Sequence, residues 1–572
     1  MQSDRPWLAH YDSGVPSTIR YPQHPLFEFL EESARKYPSR ACTFLKDQVL
    51  SYAQMNDISD RLAGALAGLG VEKGDRVGIF MPNLPQFVMA FYAILKAGAV
   101  VVAGNPQYTL PEIVRHVDDA GVTVMFVSKD LYPTATAAKA QSVLRTLVVA
   151  RTGNAVIPSS LAPRSSMPDE GQNGVLNTGG LADGDVDLQD LIARFRPEQR
   201  PALRVGPDDT ALFQYSGGTT GVSKAAVASH RGVVANTIQF RRWLATLEDG
   251  REMMLMAIPL HHAYGMIAGM SLGVALGASL ALVPNPRDIE ELIHTIERCH
   301  PTVFPGVPGL YNAMSNHPGV KSGKVSLRSL KACISGSTAL LRETKERFEE
   351  LSGGQICEGY GLSEAPVVTH CNPLLGTNKI GSIGMPMPDV DCRVVDPEDG
   401  NKNKAPGESG ELILRGPQVM IRYHNMPAET EATLRRLGDG EKWLFTGDIV
   451  RMDDDGYFYV VDRKKEVIKP GGLQVWPREV EEAIASHPKV LEVGVAGVPD
   501  PVNGESVKAW IVLGPGLDSN PEEIKAWSRA RLAAYKVPSE IVFTPELPKS
   551  AVGKILRREL VRQHLGGRPP ES

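Results

Sequence analysis

Between residues 55 and 69 the apolar side chains Met55, Ile58, Leu62, Leu66 and Leu69 recur at intervals of three and four. That spacing puts one apolar stripe on a helix. Apolar runs then predict a strand over 75–81, a helix over 84–96, and strands over 99–102 and 122–127. Short β-branched strands alternating with helices make a parallel sheet covered by helices. The same rhythm predicts a helix over 289–298 and a strand over 302–304. The uncharged run 266–283 has the length of a membrane span. It is broken by Gly269, Gly273, Gly277 and two serines, and no aromatic belt flanks it. It reads as a buried helix, a break near Gly277 and a buried strand over 279–283.

Two stretches change the texture. Residues 152–185 are rich in Gly, Ser, Pro, Asn and Asp, which predicts a flexible insertion without assigned function. After 463 the pattern predicts a helix over 477–486, strands over 492–496 and 507–513, a helix over 521–534 and a strand over 540–543. That is an α+β unit of about a hundred residues, enough for a domain. The expected architecture is therefore α/β: a large N-terminal domain over 1–462, with parallel-rich sheets packed with helices, and a small mobile α+β domain over 463–572.

At 572 residues the chain exceeds a single core. A formal charge of −5 gives no reason to expect nucleic acid or an acidic membrane as partner. The six cysteines are scattered without a CxxC pair, which argues against a disulfide framework or structural zinc and suits a reducing compartment. No apolar leader follows Asp4 and Arg5, so a cytoplasmic location is expected, with peripheral contact at the inner face of a membrane left open.

Candidate chemistry concentrates in motifs that follow strands. Residues 215–224, YSGGTTGVSK, follow the apolar run Ala211-Leu212-Phe213. Glycines let successive N–H groups approach one anion, the hydroxyls of Ser216, Thr219 and Thr220 add donors, and Lys224 adds a cation. Plain turns share this composition, and the P-loop pattern GxxxxGK[ST] is absent because Val222-Ser223 separate Gly221 from Lys224. Ser335-Gly336-Ser337-Thr338 follows a strand over 330–334, and Gly359-Tyr360-Gly361-Leu362-Ser363-Glu364 follows one over 355–357. Thr446-Gly447-Asp448 follows a strand over 443–445. Asp462-Arg463-Lys464-Lys465 leads to Ile468-Lys469-Pro470-Gly471-Gly472, and Pro548-Lys549-Ser550-Ala551-Val552-Gly553-Lys554 lies near the C-terminus. Ser363 lacks the final glycine of a G-x-S-x-G nucleophile elbow. His261-His262 lacks a nearby carboxylate for a metal. The loop at Asn105-Pro106 and Tyr108-Thr109 falls past a strand end, where a structural turn explains it.

In this order the motifs resemble the adenylate-forming superfamily of acyl-CoA synthetases, peptide-synthetase adenylation domains and luciferases. The resemblance covers nearly the whole chain. Within the superfamily the chain is most similar to bacterial long-chain fatty acid–CoA ligases, through Phe213–Gly221, Glu358–Glu364, Arg415–Met420 and Asp462–Lys465. The resemblance implies ATP, Mg²⁺ and coenzyme A, and ATP-dependent formation of an acyl-CoA through an acyl-adenylate. Ser216, Gly217, Gly218, Thr219, Thr220, Gly221 and Lys224 would hold the β- and γ-phosphates. Tyr360 would stack on adenine, the backbone of Gly336-Ser337-Thr338 would read the base edge, and Glu358, Gly359, Gly361 and Ser363 would complete that wall. Asp448 would accept from the ribose hydroxyls with Arg463 beside it, and Glu364 would bind Mg²⁺.

Lys554 would bridge carboxylate and α-phosphate in the first half-reaction. For the second, the small domain would swing about Lys465 and present Lys469, Gly471 and Gly472 as a thiol channel, Lys469 also serving the nucleotide. His262 would stand between nucleotide and acid. The acyl pocket would take His262, Tyr264, Gly265, Met266, Phe304, Gly306 and Val307 from two stretches without charged side chains, which suits a fatty chain. Gly217, Ser363 and Ala225 depart from the usual family residues, and none removes a charge. The acid (fatty or aryl), the acceptor (coenzyme A or a carrier protein) and a non-enzymatic nucleotide sensor stay as alternatives.

Overall fold

A computed structural model describes residues 5–151, 180–215, 223–550 and 553–566. The glycine loop 216–222 and most of the 152–185 insertion lie outside the described residues. Two large sheets carry the bulk of the chain. One has eight strands, parallel from Val186–Asp187 through Thr146–Ala150, Val124–Ser128, Arg76–Phe80 and Val100–Ala103 to Thr210–Tyr215. It closes with antiparallel Ala225–Ser229 and Arg422–Tyr423. The second has nine strands, with Ser279–Leu282, Met253–Met256, Val303–Gly306, Ala332–Ser335 and Gln355–Leu362 running parallel at its centre. One continuous core joins the two sheets. Helix Pro85–Lys96 is buried along its whole length. A helix without a polar face requires such cover on all sides. Its one charge, Lys96, donates to Asn56 and Ser59 and pairs with Asp60 at 2.9 Å.

The strands and helices expected over 75–127 form within a residue or two of the expected bounds. Thr109 caps helix Leu110–Ala120 in a capping box with Glu112, so the loop at 105–109 has a structural purpose. The run 266–283 is buried: a π-helix Tyr264–Ser271, a short helix Leu272–Ala275, a left-handed Gly277 at φ +63° and a strand Ser279–Leu282. Among the described residues no helix is long and apolar enough to cross a membrane.

Five features differ from the sequence expectation. Residues 391–463 build an antiparallel five-stranded sheet that the periodicity did not single out. Residues 359–362 do not follow a strand but continue it, because Gln355–Leu362 pairs on with Ala365–Cys371. Residues 446–448 likewise sit inside the long strand Lys442–Met452. Helix 521–534 stops at Arg529, and an unforeseen helix, Arg557–His564, ends the described chain. The small C-terminal domain is a three-stranded sheet of Val490–Asp500, Gly504–Leu513 and Glu540–Phe543 with helices on it, around its own apolar clusters.

Candidate nucleotide and acid site

Two parallel strands of the nine-stranded sheet end level with each other at Gly306 and Ser335, in register with Glu358 on the third, which runs on to Leu362. Ligands of open α/β sheets bind just beyond such carboxyl ends. The loop from Gly336 begins there, packed against Tyr264 and Gly359. A Cβ on Gly336 would stand 3.4 Å from the Tyr264 ring and 3.6 Å from the Gly359 carbonyl. Ser337 and Thr338 are exposed, Ser337 at φ +75°. Glu358 is buried and serves as a fastener: its carboxylate accepts from Gly381 N at 2.9 Å and Leu340 N at 3.3 Å. The structure thus gives it a positioning geometry beneath the loop. Gly361 has no alternative, since a Cβ would fall 1.3 Å from the Val367 carbonyl.

Tyr360, on the strand that carries Glu358, donates its hydroxyl to Asp448 at 2.5 Å. Burial and the Asp448 carboxylate push the phenol well above its ordinary pKa, so it stays protonated. Asp448 in turn faces Arg463 across the antiparallel pair, with a carboxylate–guanidinium distance of 3.1 Å. The third sheet therefore delivers Asp448 and Arg463 to the strand ends of the second.

Glu364, at the next turn, accepts the Tyr423 hydroxyl at 2.6 Å. Lys224 lies 5.3 Å above the Tyr423 ring and pairs with Glu429. Strand Arg422–Tyr423 pairs with Ala225–Ser229 directly after Lys224, which is why these distant segments meet. Tyr423 and Glu429 were missed in the sequence because they stand in an unremarkable polar stretch, Tyr423 in the two-residue strand and Glu429 in the first turn of helix Pro427–Thr433. The residues fit Mg²⁺: one half-buried carboxylate with an oxygen to spare, beside a lysine suited to phosphate, is what an ion that shares phosphate ligands requires.

Lys554 comes from the other domain to the same place. Its ammonium is half-buried near Arg463, Asp448, Glu466 and Arg557. Burial, then the like charge of Arg463, lowers its pKa to about 8. Its backbone is held by Ser550, which bonds both its N–H and its carbonyl. Lys465 is in a single 3₁₀ turn, Lys464–Glu466, joining the third sheet to the small domain. The backbones of Lys469 and Gly471 are tied to the small domain. Lys469 N donates to Glu505 at 2.7 Å, and Gly471, at φ +58°, donates to the Asn503 carbonyl at 3.0 Å.

On the acid side, Tyr264 donates to the carbonyls of Ile334 at 2.8 Å and Gly306 at 3.1 Å, wedged under Gly336. Gly265 passes so close to Pro259 that a Cβ would meet its carbonyl at 2.3 Å, and Met266 is buried beside it. His262 Nδ1 accepts from Tyr264 N at 3.4 Å, and desolvation lowers its pKa to about 4, so the ring is neutral at pH 7. Val307 packs against the core that holds Tyr264 and Met266. Phe304 is the exception. Side chains alternate along a strand, and Phe304 points to the opposite face, against Tyr311 at 5.1 Å between ring centroids.

The family model described as AMP-binding enzyme matches residues 30–424, and that of the AMP-binding enzyme C-terminal domain matches 479–554. The chain belongs to the AMP-binding enzyme family. A long-chain-fatty-acid–CoA ligase of Bacillus subtilis (strain 168) is 39% identical over 98% of this chain and 99% of its own. The ATP-bound crystal structure of MatB from Rhodopseudomonas palustris superposes with a TM-score of 0.81, at 25% identity over 95% of this chain and 99% of that one. The apo structure of MatB covers the same shares at 26% identity with a TM-score of only 0.71. Of these two structures, the ATP-bound one superposes better on this member of the family.

Proposed function

We propose that this enzyme is an ATP-dependent acyl-CoA synthetase for a medium- to long-chain fatty acid. It joins the acid to coenzyme A through an acyl-adenylate and releases AMP and diphosphate. The observation that carries the reading is the convergence of Lys554, from the small domain, on the Tyr360–Asp448–Arg463 cluster of the large one. Coenzyme A and a fatty acid come from the B. subtilis relative's name, supported by the wholly buried, uncharged Tyr264–Ser271 segment.

In the first half-reaction a carboxylate oxygen attacks the α-phosphate and diphosphate leaves. Two anions approach, and Lys554 donates from one ammonium to both, which matters most where water is scarce. Lys224 leaves Glu429 for the outer phosphates, alongside the glycine loop 216–221. Asp448 accepts from the ribose hydroxyls with Arg463 paired to it, and the Tyr360 ring lies under the adenine, with Gly336–Thr338 along its edge. Glu364 would hold Mg²⁺, which when bound would supply positive charge to offset that of the diphosphate. Neutral His262 stands where nucleotide and acid meet. In the second half-reaction the thiol of coenzyme A attacks the acyl carbonyl and AMP leaves. The domain 463–572 turns on Lys465 against the domain 1–462, withdrawing Lys554 and bringing Lys469, Gly471 and Gly472 to line the thiol's path. A fatty substrate also suits peripheral contact with the inner face of a membrane.

The test is purified enzyme with palmitate, octanoate and an aryl acid, scored first by diphosphate release and then by thioester. Absence of adenylation with every aliphatic acid refutes the fatty-acid assignment. Thioester formed on a phosphopantetheinylated carrier but not on coenzyme A refutes the acceptor.

A further inference from the structure

The proposed pivot Lys465 lies between two carboxylates, Asp462 and Glu466, that meet one guanidinium. Asp462 is near the end of strand Phe458–Arg463, on the large-domain side, and is 3% exposed. Its Oδ2 accepts the backbone N–H of Arg478 at 2.6 Å. Its Oδ1 accepts Arg463 N at 2.7 Å and Arg557 Nη1 at 3.3 Å. Arg478 opens helix Pro477–Ala485 and Arg557 opens helix Arg557–His564, so both belong to the small domain. Arg557 also pairs with Glu466 and forks onto both oxygens of Glu481, at 3.0 and 2.7 Å.

The two sets of contacts behave differently on rotation. The Arg557–Glu481 fork lies within the small domain and turns with it. Leu560, fully buried in the cluster of Val498, Trp510 and Leu547, fastens the helix that carries Arg557 to the small sheet. The contacts of Asp462 with Arg478 and Arg557 cross the pivot and must break. A buried carboxylate that loses its partners costs more than the pair contributed. Asp462 therefore favours the arrangement seen here. Arg557 follows Lys554 by three residues, so whatever fixes the first fixes the second.

We propose that Asp462 and Arg557 are a latch that holds the small domain in the adenylate-forming arrangement, positioning Lys554 without touching substrate. This inference rests on the two-step reading above and extends it to residues with no part in that chemistry. Arg557 lies beyond the stretch matched by the C-terminal family model.

The variants Asp462→Asn and Arg557→Lys, one on each side of the pivot, test it. Acid-dependent exchange of labelled diphosphate into ATP should fall at least tenfold in both. Thioester formation from preformed acyl-adenylate and coenzyme A should stay unchanged or quicken. Deuterium exchange at the Arg478 amide should accelerate in Arg557→Lys, while the strand around Trp510 stays protected. Equal loss in both half-reactions, unaltered diphosphate exchange, or unchanged protection of Arg478 overturns the latch. If the unaltered enzyme catalyses neither half-reaction, the functional reading fails, and the amide exchange still decides the latch.

Discussion

The charge state of Lys554 sets a pH limit on the first half-reaction. Burial and Arg463 lower its pKa to about 8 in the empty enzyme, whereas Glu466 and Asp448 act in the opposite sense. Only the ammonium can bridge two anions. The fraction in that form is about nine-tenths at pH 7 and about one-tenth at pH 9, by simple titration. The kcat/KM for adenylation, which reports the free enzyme, should therefore fall about tenfold per pH unit above pH 8. Under saturating ATP and acid the limb should move upward, since bound anions favour the cation. Lys554→Arg keeps its charge throughout this range and should abolish the limb at a lower absolute rate. Lys554→Ala should lose on the order of 10²–10³ in rate at pH 7. Glu466→Gln removes a charge that raises the Lys554 pKa, so the limb should shift to lower pH. Diphosphate–ATP exchange measured from pH 6.5 to 10, with magnesium held constant, gives the profile. An alkaline limb that persists unchanged in Lys554→Arg, or exchange undiminished in Lys554→Ala, refutes the assignment.

Other outcomes follow from single contacts. Tyr423→Phe removes the hydroxyl that orients Glu364. A lost hydrogen bond to a charged group is worth about 1.5–3 kcal/mol, so the half-saturating magnesium concentration should rise at least tenfold; an unaltered magnesium titration would show that the hydroxyl is idle. Tyr360→Phe keeps the stacking face but frees Asp448, and should raise the KM for ATP a few-fold, less than Tyr360→Ala, as steady-state kinetics would show. Gly361→Ala drives a methyl onto the Val367 carbonyl and should cost more than about 2 kcal/mol through a displaced hairpin, read as a lowered Tm together with lost ATP binding.

The sheet of the first half was legible because its strands are apolar runs separated by helices with clear stripes. Those patterns come from burial on two faces, which acts locally on composition. The Asp391–Arg463 region was not legible. Its antiparallel strands Ser409–Arg415 and Lys442–Met452 are buried in consecutive runs and do not alternate, so no period of two stands out. The glycine-bearing motifs misled in one respect. Tyr360 and Asp448 look like turn residues beside glycines, yet antiparallel pairing with His370 and Arg463 holds both in strands. Phe304 looked like pocket lining because it is apolar and well placed in number, and strand alternation alone sends it to the other face.

Residue chemistry was readable from the linear order: a lysine after a glycine near the C-terminus, an aspartate and an arginine flanking a strand pair, a glutamate after a tyrosine. Which of these meet was not readable, because meeting depends on register and on how one domain sits against another. Lys554 comes near Asp448 across more than a hundred residues of sequence, and Tyr423 reaches Glu364 although no local pattern announces the strand it sits on. Composition encodes what each group can do, whereas long-range pairing brings the groups within a few ångströms, the range at which their charges act on one another.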